Sequence, residues 1–434
     1  MSLYEEIRPI EGLILKTMQS VDAFDYTYSS NVPPVLDFET PMGDQVIVNS
    51  GSGQARELFQ RYYNFTFTNT LEYKLNIDNR HFTTFLLGQE SLIARDRQFD
   101  VIFTGHNDGR LMMLNNGTDY LPPSHSIVDR VFNSGFFRVD YNYDSKYYLD
   151  LTYRLDGSSK FGPNKRWAEF YSLGGKWDLK RENFLAETKW LDNLALRVSY
   201  GTTGNSSIPD YLFYGLVGGD NMVYEGESGV SNTQSSNYDL TWETVTTFNT
   251  GLDFRLFGRV YGSVEFYRKK TTDMLMWIPY SYTSGYSGGW GNVGAMVNTG
   301  ADLMLNIDIL RKKDMYWMFR ANINYNENKI TELFNGLDEY VFPDTGLKLQ
   351  VGKPYGEFYM VKRQGVDPRD GKQIWLDKYG NETKVYSEDH SVFVGKQRYA
   401  PFSGGFGKQV AYKNVTLSAD FAVALGKYAI NNDK

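Results

Sequence analysis

The stretch FFRVDYNYDSKYYLDLTYRLDGSSKFGPNKRWAEFYSLGGKWDL, Phe136 to Leu179, decides the fold. Phe137, Val139, Tyr141 and Tyr143 take every second place, with Arg138, Asp140 and Asn142 between them. After a turn at Asp144-Ser145-Lys146, Leu149, Leu151 and Tyr153 alternate with Asp150, Thr152 and Arg154. The polar link DGSSKFGPNKR then leads to Tyr171, Leu173 and Trp177 set against Ser172, Lys176 and Asp178. A period of two over this length means β-strands with one apolar and one polar face.

The same alternation recurs outward in both directions. It runs through Tyr63–Asn76 with a tight turn at Asp78-Asn79, then HFTTFLLGQE, then Leu194–Tyr200. In the second half it runs through Phe248–Leu256, Val260–Tyr267, Ala301–Ile309, Trp317–Asn326, a strand near 402–411 and Val415–Leu425. Leu13 to Asp25 reads as a less regular strand, and Met1 to Ile10 as a lead-in. Long loops are expected near 27–59, 97–132, 203–240, 273–297 and 329–400, the last with a hairpin around Asp370-Gly371. The strands are about ten residues or longer, against a usual five or six in globular proteins. Short and long connections alternate. That pattern belongs to a transmembrane outer-membrane β-barrel, whose tilted strands carry apolar residues toward lipid and polar ones toward the lumen. A soluble β-sandwich or propeller gives shorter strands without the alternation.

Composition agrees. Aromatic residues make up 16% of the 434, with 33 Tyr, as in the aromatic girdles of a barrel or in a sugar- or peptide-binding surface. A net charge of −7 without a basic stripe argues against nucleic acid as partner. There is no Cys, hence no disulfide scaffold, thiolate metal site or cysteine nucleophile. No window of apolar residues is long enough for a transmembrane helix, and MSLYEEIRPI lacks the apolar core of a signal peptide. About thirteen strands are expected, an odd number, whereas single-chain bacterial barrels have even counts. The expectation is therefore an all-β chain carrying part of a barrel.

At these residues the chain resembles SusC/RagA-like TonB-dependent outer-membrane receptors. The resemblance rests on YNYDSKYYLDLTYRLDGSSKFGP, LALRVSYGTTGN (Leu194–Asn205), NYDLTWETVTTFNTGLDFRLF (Asn237–Phe257), VEFYRKKTTDMLM (Val264–Met276), NVGAMVNTGADLML (Asn292–Leu305), VGKPYGEFYMVKRQGVDPRDGKQIWLDKYG (Val351–Gly380) and RYAPFSGGFGKQVAYKNVTLSADF (Arg398–Phe421). It implies an importer of large nutrients, oligosaccharides and other glycans or peptides, with a SusD-like surface lipoprotein as lid and energy from the inner-membrane proton gradient delivered through TonB. It implies about 22 strands in the complete barrel, and a plug domain that this stretch does not contain. Two alternatives stay open: a TonB-dependent receptor for siderophores or cobalamin, and a soluble carbohydrate-binding β-protein.

No catalytic, metal or cofactor site is expected. His81, His106, His125 and His390 share no ligand-like spacing. Gly285–Gly289 fits G-x-S-x-G, but it lies in a Gly-rich loop without the strand-to-helix turn of a nucleophile elbow. DPRDGKQIWLD (367–377) lacks the acidic spacing of a calcium loop. Substrate binding falls to the loop aromatics Tyr280, Tyr282, Tyr286 and Trp290, whose other reading is loop packing or an interfacial belt. Arg197, Asp253, Arg255, Glu265 and Arg320 are expected on the lumen side.

Overall fold

The structure, a computed structural model, describes residues 1–34, 38–39, 45–46, 53–106, 108–224, 227–342 and 347–430. Its main feature is a 14-stranded antiparallel sheet. We number these strands β1 (Ser2–Ile10), β2 (Leu13–Val32), β3 (Gly53–Ile77), β4 (His81–His106), β5 (Asp119–Tyr143), β6 (Tyr147–Ser158) and β7 (Trp167–Asp178). They continue as β8 (Leu191–Asn205), β9 (Glu243–Leu256), β10 (Val260–Thr272), β11 (Ala295–Lys312), β12 (Met315–Glu332), β13 (Phe402–Tyr412) and β14 (Val415–Leu425). Sequence order is spatial order, so every connection is a hairpin between neighbours. Two compact units share the chain: 1–73 with 86–136 and 156–160, and 74–85 with 137–155 and 161–434.

Several expectations change. The lead-in is itself a strand, β1, paired with β2 from Ser2↔Ser20 to Ile10↔Leu13. The count among the described residues becomes 14, and the parity argument for missing strands no longer stands. Strands also run into the expected loops. β2 continues to Val32, and β4 and β5 reach His106 and back from Asp119, leaving only 107–118 between them. Within 203–240 lies a hairpin, Leu216–Tyr224 with Glu227–Gln234. A second, Leu275–Pro279 with Gly288–Asn292, lies within 273–297. Most of 35–52 lies outside the described residues.

The tight turns have a local cause. Two-residue hairpin turns of the type that matches strand twist need positive φ at both central positions. Asp78 and Asn79, Asp144 and Ser145, and Phe257 and Gly258 all lie between +50° and +65°. One connection on the short-turn side departs from the pattern: between β7 and β8 the chain makes a 3-10 turn at Leu179–Arg181 and a short helix at Asn183–Ala186.

The expected hairpin around Asp370-Gly371 is present, pairing Arg363–Val366 with Gln373–Leu376. Asp367 sits inside it, 3% exposed, taking Lys384 Nζ at 2.6 Å and Arg369 Nη2 at 3.0 Å. These cations hold its carboxyl well below the usual carboxylate range, the Arg369 hydrogen bond contributing most.

Candidate functional site

The sheet's two faces differ in the sense opposite to a soluble protein. On β6, Leu149, Leu151, Tyr153 and Leu155 are 36–49% exposed, and the intervening Asp150, Thr152 and Arg154 are less so. Val198 and Tyr200 on β8, Phe248 and Leu252 on β9, and Phe266 on β10 continue the exposed apolar row in the larger unit. Phe65, Phe67, Leu71, Leu87 and Ile93 do so in the other. A side chain of this kind left wholly in water forgoes about 1.5–3 kcal/mol of burial, and these forgo a part of that each, so a long row of them calls for an apolar solvent. In the smaller unit, farther along this same face toward the long connections, the row turns ionic. Arg61 pairs in fork geometry with Asp25 (both 2.7 Å), and Arg95 with Asp129 (2.6 and 2.9 Å).

The opposite face is a hydrogen-bonded polar lattice. Register sets Arg197 opposite Gly251 and Gly251 opposite Glu265. The glycine leaves room for the guanidinium to span the strand between, and Arg197 donates to Asp253 (2.7 and 2.8 Å) and Glu265 (2.6 Å). Arg320 on β12 reaches over Gly407 to Asp420 on β14 (2.7 Å). Asn324 donates to Asp302 at 2.6 Å, and the Tyr267 hydroxyl to Asn326 at 3.1 Å. Arg255 stands apart, its guanidinium 5.8 Å from the Tyr261 ring centre. Arg255, Asp253, Tyr261, Ser263, Asp308 and Tyr316 line an open cavity on this face of about 720 Å³. The five expected polar residues thus share one face, and Arg197, Asp253 and Glu265 form one cluster. Asp420, Asp302 and Asn324 were missed as partners; the same alternation carries them, but only register shows which rows meet.

At the long-connection end of the larger unit the loops are packed. Phe161, from the DGSSKFGP link, and Leu240 are fully buried. Trp242 lies 4.8 Å from Phe161 and 5.7 Å from Phe170 between ring centres. The backbone N–H of Gly162 donates to Leu240 O, and Trp242 Nε1 to Arg166 O. Asn292 exchanges hydrogen bonds with the Thr241 backbone (2.7 and 2.8 Å), and Asn237 donates to Trp290 O. This fastens the 275–292 hairpin to the cluster.

Of the expected ligand-binding rings, Trp290 is half-buried edge-on against Trp277, a ring not singled out beforehand. Tyr280 is exposed and Tyr286 half-buried beside the 3-10 turn at Tyr282–Ser284. The Tyr282 side chain lies outside the described residues. The rings share one hairpin but line no common cavity among the described pockets. Gly285–Gly289 runs from that hairpin's tip into its second strand, Gly288–Asn292, and not into a helix. The histidines are scattered. His81 meets the Tyr141 hydroxyl (2.8 Å), buried His106 lies between the carbonyls of Gly53 and Met113, and Arg97 donates to His125. No metal-holding cluster exists among the described residues.

Comparison with known proteins fits these two faces. The family described as TonB dependent receptor-like, beta-barrel, matches residues 15–432. The chain belongs to the TonB-dependent receptor family. It has the family's β-barrel fold, and that family comprises receptors and transporters, not enzymes. It is 30% identical to TonB-dependent receptor P39 of Formosa agariphila over 79% of this chain and 34% of that one. It is 32% identical to TonB-dependent receptor SusC of Bacteroides thetaiotaomicron over 68% of this chain and 31% of that one. A solved RagAB peptide transporter superposes with a TM-score of 0.87 at 38% identity, covering 99% of this chain and 48% of that one. These make it a SusC/RagA-like receptor chain, spanning about a third of the curated relatives and just under half of the solved one. The siderophore receptor PirA from Acinetobacter baumannii reaches 0.51 at 12% identity and shares the fold alone.

Proposed function

We propose that this chain forms part of the wall of an outer-membrane importer of large nutrients, oligosaccharides or peptides. It works with a SusD-like surface lipoprotein and draws energy through TonB by way of a plug domain; the complete barrel has about 22 strands. The observation that carries this reading is the 38% identity to the RagAB peptide transporter along almost the whole chain. The exposed apolar rows then face lipid, and the lattice around Arg197, Asp253, Arg255, Glu265 and Arg320 faces the lumen. Short turns lie on the periplasmic side and long connections outside the cell. The Arg61–Asp25 and Arg95–Asp129 pairs support this, because charged side chains on the lipid face are costly at the bilayer midplane and cheap beyond it. Tyr280, Tyr282, Tyr286 and Trp290 would meet substrate or lid, since flat rings stack on sugars and peptide side chains alike.

Affinity purification of the intact receptor from native outer membranes tests this reading. A lipoprotein of the SusD-like kind should co-purify. Uptake of labelled oligosaccharide or peptide should cease when TonB is deleted. Uptake of a ferric siderophore in place of both would establish the second reading, and a chain soluble and monomeric without detergent the third.

A further inference from the structure

The connection between β7 and β8, residues 179–190, is the one place on the short-turn side where the chain does not turn tightly. It is built, not slack. Lys180 Nζ donates to the carbonyls of Leu185, Ala186 and Thr188 at 2.8–3.1 Å, closing the segment on itself. Glu182 accepts hydrogen bonds from the Tyr147 hydroxyl and from Trp177 Nε1. Those two rings are stacked, 6.2 Å apart, and belong to the apolar rows of β6 and β7. The segment is therefore fastened against the apolar face, not the polar one. With Lys180 and Glu182 turned to these bonds, the segment leaves two large apolar rings in the open: Phe184 is 69% and Trp190 50% exposed. Trp190 lies 6.1 Å from Phe257, itself 67% exposed at the tip of the next short turn. In sequence these rings are flanked by Arg181, loosely paired with Asp178 at 3.4 Å, and by exposed Lys189, while Asp192 accepts the Gly258 N–H beside Phe257. Glu187 is the one further carboxylate of the segment.

We propose that residues 179–190 anchor the receptor in the membrane interface. Phe184, Trp190 and Phe257 enter the boundary between headgroups and acyl chains of the phospholipid leaflet on the short-turn side, and Arg181 and Lys189 meet its phosphates. The occupant is lipid, because Glu182 ties the segment to Tyr147 and Trp177, the last rings of the apolar rows of β6 and β7. Exposed aromatics with Lys and Arg beside them in sequence are also what an interfacial element presents. The Glu182 carboxylate, held between two belt rings, marks where that face meets water. The inference rests on the membrane reading above and is tested separately from it.

The 434 residues contain no Cys, and with any Cys elsewhere in the intact receptor replaced by Ser, spin labels can be placed singly. The intact receptor is labelled at Phe184→Cys, Leu149→Cys or Tyr379→Cys and reconstituted in vesicles of phosphatidylethanolamine and phosphatidylglycerol. Collision with oxygen, which partitions into lipid, is compared with collision with a water-soluble nickel chelate. The oxygen-to-nickel ratio at Phe184 should exceed that at the exposed loop residue Tyr379 severalfold and fall below that at Leu149. R181E with K189E should lower the ratio at Phe184 and leave Leu149 unchanged. A Phe184 ratio equal to that of Tyr379, with Leu149 still high, overturns the anchor and leaves the membrane reading intact. It would reassign the patch to a water-exposed protein partner. A low ratio at Leu149 overturns both.

Discussion

At the scale of single residues, the alternation that identified the strands also fixed which side chains share a face. It did not reveal which of them touch. Arg197, Asp253 and Glu265 stand on three strands, and only the register around Gly251 brings them within 2.6–2.8 Å. Two glycines on that face show what close approach costs. A Cβ at Gly407 would meet Asp420 Oδ1 at 2.0 Å, but that carboxylate is half-exposed and able to swing away. A Cβ at Gly300 would meet the Tyr325 carbonyl at 2.4 Å, which is backbone and cannot. Gly407→Ala should therefore cost no more than an exposed ion pair, under about 1 kcal/mol, and Gly300→Ala about 1–3 kcal/mol. Denaturant midpoints of the two variants in one lipid system decide this; equal costs would show that Asp420 is not free to move. Ser145 gives a third case. It holds φ of +53° in its turn, a conformation that costs a side-chain-bearing residue about 1–2 kcal/mol. Ser145→Gly should raise the midpoint, and a fall would mean that the hydroxyl holds the turn.

At the scale of elements, legibility followed the solvent. On the proposed membrane reading, every second residue inside the span must be apolar, and there β6 to β10 and β12 could be read directly. Beyond it nothing enforces alternation. Arg61, Arg95 and Asp129 interrupt the apolar rows, so 97–106 and 119–132 read as loop although they are strand. β1 escaped for a related reason: Glu5, Glu6 and Arg8 crowd its nine residues. The loop cluster was invisible because it is assembled from segments far apart in sequence, Phe161, Leu240 and Trp242 among them, that carry no periodic signal. Its centre, Phe161 and Leu240, is nonetheless fully buried. Phe161→Ala should destabilise the cluster by about 3–5 kcal/mol. Hydrogen exchange should quicken at Leu240 and Trp242 while the β9 and β10 amides stay protected; unchanged exchange at Leu240 would remove Phe161 from the role. The hairpin around Asp370-Gly371 responds to pH instead. Because the folded Asp367 carboxyl lies below its unfolded value near 3.9, its contribution is fully present above that value. It is lost as pH falls through the folded value. Proteolysis between 363 and 384 should accelerate below about pH 4 in the parent chain, and Asp367→Asn should flatten that dependence. An identical acid response in the variant would place the sensitivity elsewhere.

At the scale of the whole molecule, strand length is the quantity that the membrane reading must accommodate. β3, β4 and β5 run 25, 26 and 25 residues. At about 3.3 Å per residue each extends roughly 80 Å. A hydrocarbon core of about 30 Å crossed at about 45° takes up only about half of that. The remainder must stand clear of lipid, and the outward ion pairs say at which end: toward the long connections. The same strand then carries a buried and a hydrated level of one face. Leu87 and Arg95 are both on β4 and both point to the apolar side, eight residues apart, so they form an internal comparison. With cysteine at Arg95, a membrane-impermeant maleimide should label the receptor on intact cells. With cysteine at Leu87, 55% exposed in the free chain, it should not, because lipid covers the site. Labelling of neither on intact cells but of Arg95 after the outer membrane is opened would keep the span and reverse the orientation. Labelling of both to the same extent would remove lipid from the apolar face, and with it the physical reason for a sheet that turns its leucines outward.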